Sequence, residues 1–417
     1  MTTALTGREH RLRRMVGRDP NETHRTASPL ELLYDLTLVV AFSQAGAQMA
    51  HLLELGHFGA ATTAFVFAMF AICWAWTNYT WLASAFDNDD IYFRIATMVQ
   101  MMGVLVMALG LPAMFHSVDE GHHLDNAVMV AGYVLMRLST LALWLRAARH
   151  NPPQRRTALT YAGLIAVAQA VWIVLIFVDP PLSVALVLAA AVGVFEMTIP
   201  VIAERRQQGT PWHPHHIAER YGLLVIITIG EVVLGTILAI SAVVEEQGWS
   251  LEAVFVAFGG TALAFGLWWV YFTLPSGEVL AKYRERSKSW AYGHMIIFGS
   301  IAAVGAGLHV AAYVIEDTAH IDSTAAILSL VIPIAIFMIT LITLYSVLLR
   351  QFDRFHIWLF LGALLALVAA VLAVAAGASL GTGILLSVLA PAVVIVGYET
   401  VGHAHQAEAL ARILDKD

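Results

Sequence analysis

Twelve long apolar segments, each separated from the next by polar residues, proline or glycine, make up most of the chain. A helix needs about 20 apolar residues to cross the hydrocarbon core of a bilayer, and every segment reaches that length. We place the spans near 31–51, 58–82, 92–115, 125–147, 157–178, 182–203, 219–243, 252–274, 290–314, 325–349, 356–377 and 382–403. The pattern predicts an all-α polytopic membrane protein with about twelve transmembrane helices.

The composition agrees with this prediction. Of the 417 residues, 59% are hydrophobic and 13% are charged, whereas a soluble domain has about 25% charged residues. Twelve spans leave no room for a separate soluble domain. The net charge of −7 offers no concentrated basic face, so we expect no nucleic-acid partner. The single cysteine, Cys73, cannot form a disulfide within the chain.

The basic residues predict an orientation. Lysine and arginine collect in alternate segments between the spans, at 8–25, 146–156, 205–206, 282–288, 350–354 and 412–416. The other segments, near 51–57, 116–124, 179–181, 244–251, 316–324 and 377–381, contain neither residue. Because cytoplasmic loops collect Lys and Arg, we expect both termini to be cytoplasmic.

Twelve spans divide into six and six. We predict a cytoplasmic tail at 1–29, a first half at 30–204, a cytoplasmic linker at 205–217, a second half at 218–404 and a cytoplasmic tail at 405–417. An even number of spans gives both halves the same orientation, which is the parallel kind of repeat. Similar text in the halves, such as a late glutamate in each sixth helix, supports two six-helix repeats, with chance similarity between apolar helices as the alternative.

Several blocks of sequence carry a family resemblance. They are SPLELLYDLTLVVAFSQ at 28–44, WAWTNYTWLASAFDNDD at 74–90, YVLMRLSTLALWLRAAR at 133–149, HHIAERYGLLVIITIGEVVLG at 215–235 and WWVYF at 268–272. On these blocks the sequence resembles the bacterial low-temperature-requirement A (LtrA) family. The resemblance implies a multi-pass protein of the bacterial inner (plasma) membrane, linked by name to growth in the cold. It implies no particular biochemical activity.

Ionisable residues at membrane depth are costly and are candidates for function. Arg137 lies about halfway along the fourth span and Glu231 about twelve residues into the seventh, so both approach the bilayer midplane. Matching depth on the two halves predicts an ion pair across the interface between them. A bound substrate or ion could compete with this pair. Alternatively, a permanent buried pair could lock the halves together.

Two further carboxylates lie near the start of the first span. Glu31 and Asp35 are four residues apart, so they share one helix face. They could form a gate or an ion site. The alternative, which we favour, is that they interact with a helix N-terminus or with a neighbouring arginine.

Other polar groups lie within the remaining spans. Glu196 and Glu399 occur late in the sixth and twelfth spans, where a carboxylate could couple transport to protons or could hydrogen-bond to a neighbouring Ser, Thr or Trp. Gln100 is an uncharged polar group at mid depth that helix packing alone could explain. His294, in the ninth span, is a candidate for proton sensing or for hydrogen bonding.

An acidic loop interrupts the basic trend of the predicted cytoplasmic face. Asp87, Asp89 and Asp90 could attract a divalent cation. The loop lacks the spacing of a calcium site, however, and Arg94 follows one helical turn later. We therefore favour a helix cap and a salt-bridge network. The 17 histidines have no zinc-site spacing, so we expect no metal site, and we interpret Trp74, Trp76 and other helix-end tryptophans as an interfacial belt.

These features favour a secondary transporter or permease for a small solute or ion, with an anionic substrate and proton coupling as options. The rivals are an ion channel, an intramembrane lipid-handling enzyme and a non-transporting structural or sensory protein. We find no HExxH, no GxSxG and no compact nucleophile–base pair, so we assign no catalytic residue and no cofactor. The expected partners are membrane lipids and an unidentified small solute or ion, and a homo-oligomer is left open.

Overall fold

The computed structural model describes residues 12–22, 25–205, 209–350 and 354–414. These residues form helices and contain no strand, and twelve segments are long and apolar enough to cross a membrane. The helices are α1 (Pro29–Glu54), α2 (Phe58–Phe86), α3 (Ile91–Glu120), α4 (Ala127–His150), α5 (Arg155–Val178), α6 (Leu182–Glu204), α7 (Pro214–Gln247), α8 (Leu251–Phe272), α9 (Ser276–Lys282), α10 (Ser287–Ile315), α11 (Ser323–Leu349), α12 (Arg354–Ala375), α13 (Leu380–Ser387), α14 (Leu389–Gly397) and α15 (His403–Leu414). The predicted all-α class with twelve spans is confirmed.

Local sequence sets where the helices begin. Ser28 caps α1 in a capping box with Glu31, because each side chain accepts a hydrogen bond from the other residue's backbone N–H. Asp90, Ser250 and Asp322 cap α3, α8 and α11, and each side chain accepts one hydrogen bond from a backbone N–H of the first turn. These caps satisfy backbone donors that an apolar helix end leaves without a partner.

The twelfth span is not one continuous helix. Helices α13 and α14 meet at Val388, three residues before Pro391. Proline has no N–H to donate to the carbonyl four residues earlier, here that of Ser387, so the helix is interrupted at this point. A π-helical turn, Tyr398–Gly402, then leads from α14 into α15.

Helices α1 and α2 pack against the second half. Helix α1 packs on α2 and α3 of the first half and also on α7 and α10 of the second half, and α2 contacts α10 as well. In each half the contacts follow the same order, first span with second and third, third with fourth, fourth with fifth and fifth with sixth. The two six-helix repeats as such stay a prediction.

Glycines allow α3 and α4 to approach closely. A Cβ on Gly132 would lie 2.3 Å from the backbone nitrogen of Met107, and one on Gly110 would lie 2.2 Å from that of Met129. Small residues at helix contacts are typical of membrane bundles, because packing rather than the hydrophobic effect drives helix association there. Helix α4, which carries Arg137, is therefore held at a fixed position against α3.

The ends of the helices define two faces. We call the face that holds residues 87–90 and 151–154 and the segment before α7 the basic face, and the opposite one the far face. His213 caps α7, which begins at Pro214, so the predicted linker 205–217 is shorter than expected. Parts of the predicted tails and linker, residues 1–11, 23–24, 206–208 and 415–417, lie outside the described residues. The orientation of the faces stays a prediction.

Candidate functional site

A buried ion pair lies in the first half. Nη2 of Arg137, on α4, is 3.1 Å from Oε2 of Glu196, on α6, and both side chains are at most 1% exposed. The predicted pair of Arg137 with Glu231 is therefore wrong. Similar depth along two helices did not bring those side chains together, because α4 packs against α3 and α5 and not against α7.

Neutral donors surround the Glu196 carboxylate. Trp74 Nε1 donates to Oε2 at 2.8 Å, and the Tyr133 hydroxyl donates to the same oxygen at 2.7 Å. Trp172 Nε1 donates to Oε1 at 2.9 Å, and Gln169 Nε2 does so at 3.3 Å. These donors satisfy both oxygens of a carboxyl group that would be costly to bury without partners. Hydrogen bonding to a neighbouring tryptophan was one of the two sequence interpretations of Glu196, and Trp74 and Trp172 supply it. The tyrosine and glutamine donors were not predicted from the sequence.

Arg137 keeps hydrogen-bonding capacity that its neighbours do not use. Among the described residues, its Nε and Nη1 have no hydrogen-bond partner. Gln100 accepts a hydrogen bond from Thr140 at 3.3 Å, one turn along α4 from Arg137, while its Nε2 donor has no partner in the same part of the chain. Unused donors at this depth are costly, so the centre of the first half is suited to an anionic group or to water.

Glu231 lies at a different contact. Its Oε1 accepts a hydrogen bond of 2.5 Å from the hydroxyl of Ser43, which joins α7 to α1. The side chain is 8% exposed. The partner of Glu231 is therefore a hydroxyl and not a cation. This contact is separate from the Arg137–Glu196 pair and lies where the two halves meet.

The charges that join the halves are those at the start of α1. Arg220 of α7 contacts Glu31 at 2.7 Å and Asp35 at 2.6 Å. His216 Nε2 lies 3.3 Å from Glu31, and Trp76 Nε1 donates to Asp35 at 2.7 Å. All four charged or titratable side chains are fully buried. We favoured, for Glu31 and Asp35, an interaction with a helix N-terminus or a neighbouring arginine over a gate or ion site. The structure shows such an arginine, Arg220, and its contacts link the two halves.

Tryptophans 74 and 76 do not belong to an interfacial belt. Both side chains are fully buried, and each donates its N–H to a carboxylate. Trp268, by contrast, is 38% exposed. The belt prediction is wrong for Trp74 and Trp76 because α2 lies between the halves, where its sides are covered by other helices.

Two other predicted residues make ordinary hydrogen bonds. Glu399 accepts from Trp269 Nε1 at 3.1 Å in an exposed position. His294 is buried, with Nδ1 2.8 Å from the carbonyl of Trp290 and Nε2 3.0 Å from the hydroxyl of Tyr271. Both lie in the second half, away from the Arg137–Glu196 pair.

The acidic loop forms a cap and a salt-bridge network. Arg94 contacts Asp89 at 2.9 Å, and Asp90 caps α3 and pairs with Arg146. Burial raises the pKa of Asp87 to about 6, with the charge of Glu31 adding to it. Burial alone would raise the pKa of Asp90, but hydrogen bonds, first from Arg146, lower that pKa to about 2. In the described chain no group of three or more His, Cys, Asp or Glu is placed to hold a metal ion.

Two cavities on the basic face share wall residues. The inner one, about 390 Å³, lies among α2, α4, α5, α6 and α10, and we call it the basic-face cavity. The outer one is a cleft of about 1260 Å³ between the N-terminal segment and the segment before α7. Gly209, Thr210 and Arg284 line both, so the cleft adjoins the basic-face cavity. Trp74 forms part of the wall of the inner cavity.

Two further cavities lie elsewhere. A far-face cavity of about 270 Å³ among α4, α5 and α6 is lined by Trp172. An apolar groove of about 730 Å³ runs between α1 and α2 of the first half and α10 and α11 of the second. Glu196 therefore accepts hydrogen bonds from one wall residue of the basic-face cavity and from one of the far-face cavity.

The comparisons with known proteins agree with the sequence resemblance. The family model of the bacterial low temperature requirement A protein (LtrA) matches residues 26–394. A protein of Rhizobium meliloti (strain 1021) that is described as uncharacterized is 26% identical over 303 residues, which is 70% of each chain. No solved structure matches. The match covers all but the last part of the twelfth span, so the chain belongs to the bacterial low temperature requirement A family.

Proposed function

We propose that this protein is a secondary transporter or permease for a small anionic solute, with Arg137 and Glu196 at the centre of its pathway. The observation that carries the proposal is the position of Glu196. It is buried with its arginine, and it is hydrogen-bonded to Trp74, which lines the basic-face cavity, and to Trp172, which lines the far-face cavity.

An alternating-access carrier needs a site near the midplane that each side can reach in turn. The Arg137–Glu196 pair between two cavities supports such a cycle. Movement of Trp74 would expose the pair to the basic face, and movement of Trp172 would expose it to the far face. An anionic solute would compete with Glu196 for Arg137, whose Nε and Nη1 have no hydrogen-bond partner among the described residues. Arginine suits carboxylate and phosphate groups because its donors are planar and paired.

Proton coupling is part of the proposal, and Glu231 is its candidate. Its hydrogen-bond partner is the hydroxyl of Ser43, so a proton could bind there without first breaking an ion pair. Glu231 lies between α1 and α7, where the halves meet, and a change in its charge could bias their contact.

The test is flux in proteoliposomes. The purified protein is reconstituted and offered labelled acetate, lactate, phosphate, chloride, sodium and glycine, each with and without a pH gradient. We expect uptake of an anion that Glu196→Gln and Arg137→Gln reduce at least about tenfold, while Glu246→Gln, on an exposed residue at the end of α7, does not. Folded protein that carries none of these solutes, under either condition, would contradict the proposal.

A second candidate function is lipid handling, which the apolar groove between the halves favours. The groove is lined by apolar residues such as Met49, Phe65, Met295 and Ile332. An acyl chain fits such a surface. Flux of a fluorescent phospholipid between leaflets, blocked by Gly299→Trp in the groove wall and not by Glu196→Gln, would favour this function over solute transport.

A further inference from the structure

The basic-face cavity has several aromatic residues in its walls. Six aromatic side chains line it: Trp74, Trp81, Trp144, Tyr161, Trp212 and Tyr292. They contact one another in pairs: Trp144 stacks on Tyr161 with 4.2 Å between ring centroids, and Trp81 meets Trp212 edge-to-face at 4.7 Å. Flat aromatic walls favour a ligand with a planar apolar body. The volume of about 390 Å³ suits a small organic molecule.

The acidic groups of the cavity are already occupied. Glu204 accepts hydrogen bonds from the Tyr161 hydroxyl at 3.0 Å and from the backbone N–H and hydroxyl of Thr210 at 2.9 and 2.8 Å. Glu285, at the rim, lies 3.7 Å from Arg286 and 4.0 Å from Arg350. Glu204 therefore cannot receive a cationic ligand without losing these partners, and Glu285 is exposed at the rim beside two arginines.

The donors of the cavity, by contrast, are available. Lys288 is half-buried in the wall, and no described carboxylate lies within ion-pair distance of its ammonium group, although it feels the charge of Glu204. The indole N–H of Trp144, a side chain 3% exposed, has no hydrogen-bond partner among the described residues. A cavity with occupied acceptors and unused donors is complementary to an anion.

A positive charge, that of Arg284, lies where the basic-face cavity adjoins the outer cleft and disfavours a cationic ligand. Arg284 stacks on Trp212, with its guanidinium carbon 3.8 Å from the ring centroid, and donates to the Trp212 carbonyl at 2.7 Å. This arginine already occupies the aromatic face that a quaternary ammonium group would use. The cleft outside adds Arg18 and Arg25, with Glu22 and Glu219 as its acids.

We propose that the basic-face cavity binds an organic monoanion with a planar apolar body, its carboxylate at Lys288 and its ring among the tryptophans. We take this ligand to be the transported substrate, and that part of the inference rests on the proposed transport function. The binding site itself does not depend on transport. Trp74 forms the inner wall and donates to Glu196, so a ligand bound here lies one side chain away from the Arg137–Glu196 pair.

Equilibrium binding to the full chain in detergent tests this directly. The probes are 1-naphthaleneacetate, its neutral amide 1-naphthaleneacetamide and the cation 1-naphthylmethylamine, measured by isothermal titration calorimetry. We expect the acid to bind at least about tenfold more tightly than the amide. Lys288→Gln should remove this difference and Lys288→Arg should keep it, while Lys282→Gln, an exposed lysine outside the cavity wall, should change nothing.

Three results would overturn the inference: equal binding of acid and amide, a preference for the amine, or an acid preference that survives Lys288→Gln. Thermal unfolding midpoints of the variants show whether each is folded. The two proposals can fail separately. Lys288-dependent binding without flux in proteoliposomes would contradict the transport proposal and support the binding site. Flux without Lys288-dependent binding would support transport and contradict the binding site.

Discussion

The guanidinium of Arg220 and the carboxylate of Asp35 lie 2.6 Å apart, and both side chains are fully buried where α7 meets α1. The same arginine contacts Glu31 at 2.7 Å. One cation of the second half therefore balances two anions of the first. The halves are joined by charge at this point, and neither half can satisfy its own buried groups alone.

Replacing Arg220 by methionine should destabilise the protein severely. The change leaves two carboxylates buried without a cation, and breaking a buried pair in this way typically costs about 3–5 kcal/mol. The measurement is the unfolding midpoint in detergent by intrinsic fluorescence. Arg350→Gln, in an exposed pair at 4.0 Å, is the control and should leave the midpoint unchanged. Equal midpoints for both variants would show that Arg220 does not hold the halves together.

Arg137 and Glu196 should be energetically coupled. Arg137→Met leaves an anion with neutral donors, Glu196→Gln leaves an unpaired cation, and the double variant has neither charge. We expect the double variant to be more stable than the sum of the single effects by at least about 1 kcal/mol. Chemical unfolding of all four proteins gives this coupling. Strictly additive effects would argue against a direct ion pair.

Asp87 predicts a specific dependence of stability on pH. Its pKa is raised from 3.8 to about 6, so the folded protein holds this proton more tightly than the unfolded chain does. The contribution to stability is present below pH 4 and is lost as pH rises through 6. Asp87→Asn should therefore stabilise the protein at pH 8, by up to about 3 kcal/mol, and should have no effect at pH 4.

Asp90 supplies the opposite case in the same loop. Its pKa is lowered to about 2, so its contribution is present at neutral pH and is lost as pH falls from 3.8 through 2. Asp90→Asn should lower the unfolding midpoint at pH 8, where Asp87→Asn raises it. Shifts of the same sign for both variants would contradict the assigned environments of the two carboxyl groups.

Gly132→Ala should disrupt the contact of α3 with α4. The added Cβ would lie 2.3 Å from the Met107 nitrogen and 2.5 Å from the Gly103 carbonyl oxygen, and a helix backbone cannot yield as a flexible side chain can. We expect a loss of about 3 kcal/mol or more, read as yield of folded protein and unfolding midpoint. Gly163→Ala, with nothing within 4 Å of its Cβ, should gain up to about 1 kcal/mol in helix propensity.

Cysteine labelling should show which side of the membrane each face occupies. The native Cys73 is fully buried, so it should give little background. A membrane-impermeant maleimide applied to intact cells should label Thr318→Cys, on the far face, and should label Pro153→Cys, on the basic face, only after lysis. Labelling of Pro153→Cys in intact cells would reverse the predicted orientation.

The helices were predictable because each needs only information along the chain. An uninterrupted apolar run specifies a span wherever it packs, and Ser28 or Asp90 specifies a helix start through bonds to residues three positions away. The interpretation of the Asp87–Asp90 loop as a cap and salt-bridge network follows from the same local logic. Even so, its partner Arg146, 56 residues later, could not be read from spacing.

The sequence by itself determined that the chain forms about twelve apolar helices and that its few charges at membrane depth are the groups of interest. Tertiary structure alone decided which charges meet. Arg137 meets Glu196 of α6 and not Glu231, because α4 packs beside α5 in the first half and not against α7. Arg220, to which the sequence assigned no role, balances Glu31 and Asp35. Depth along a helix follows from counting residues, whereas the direction a side chain faces depends on how twelve similar apolar surfaces choose their neighbours, and packing of small residues sets that choice.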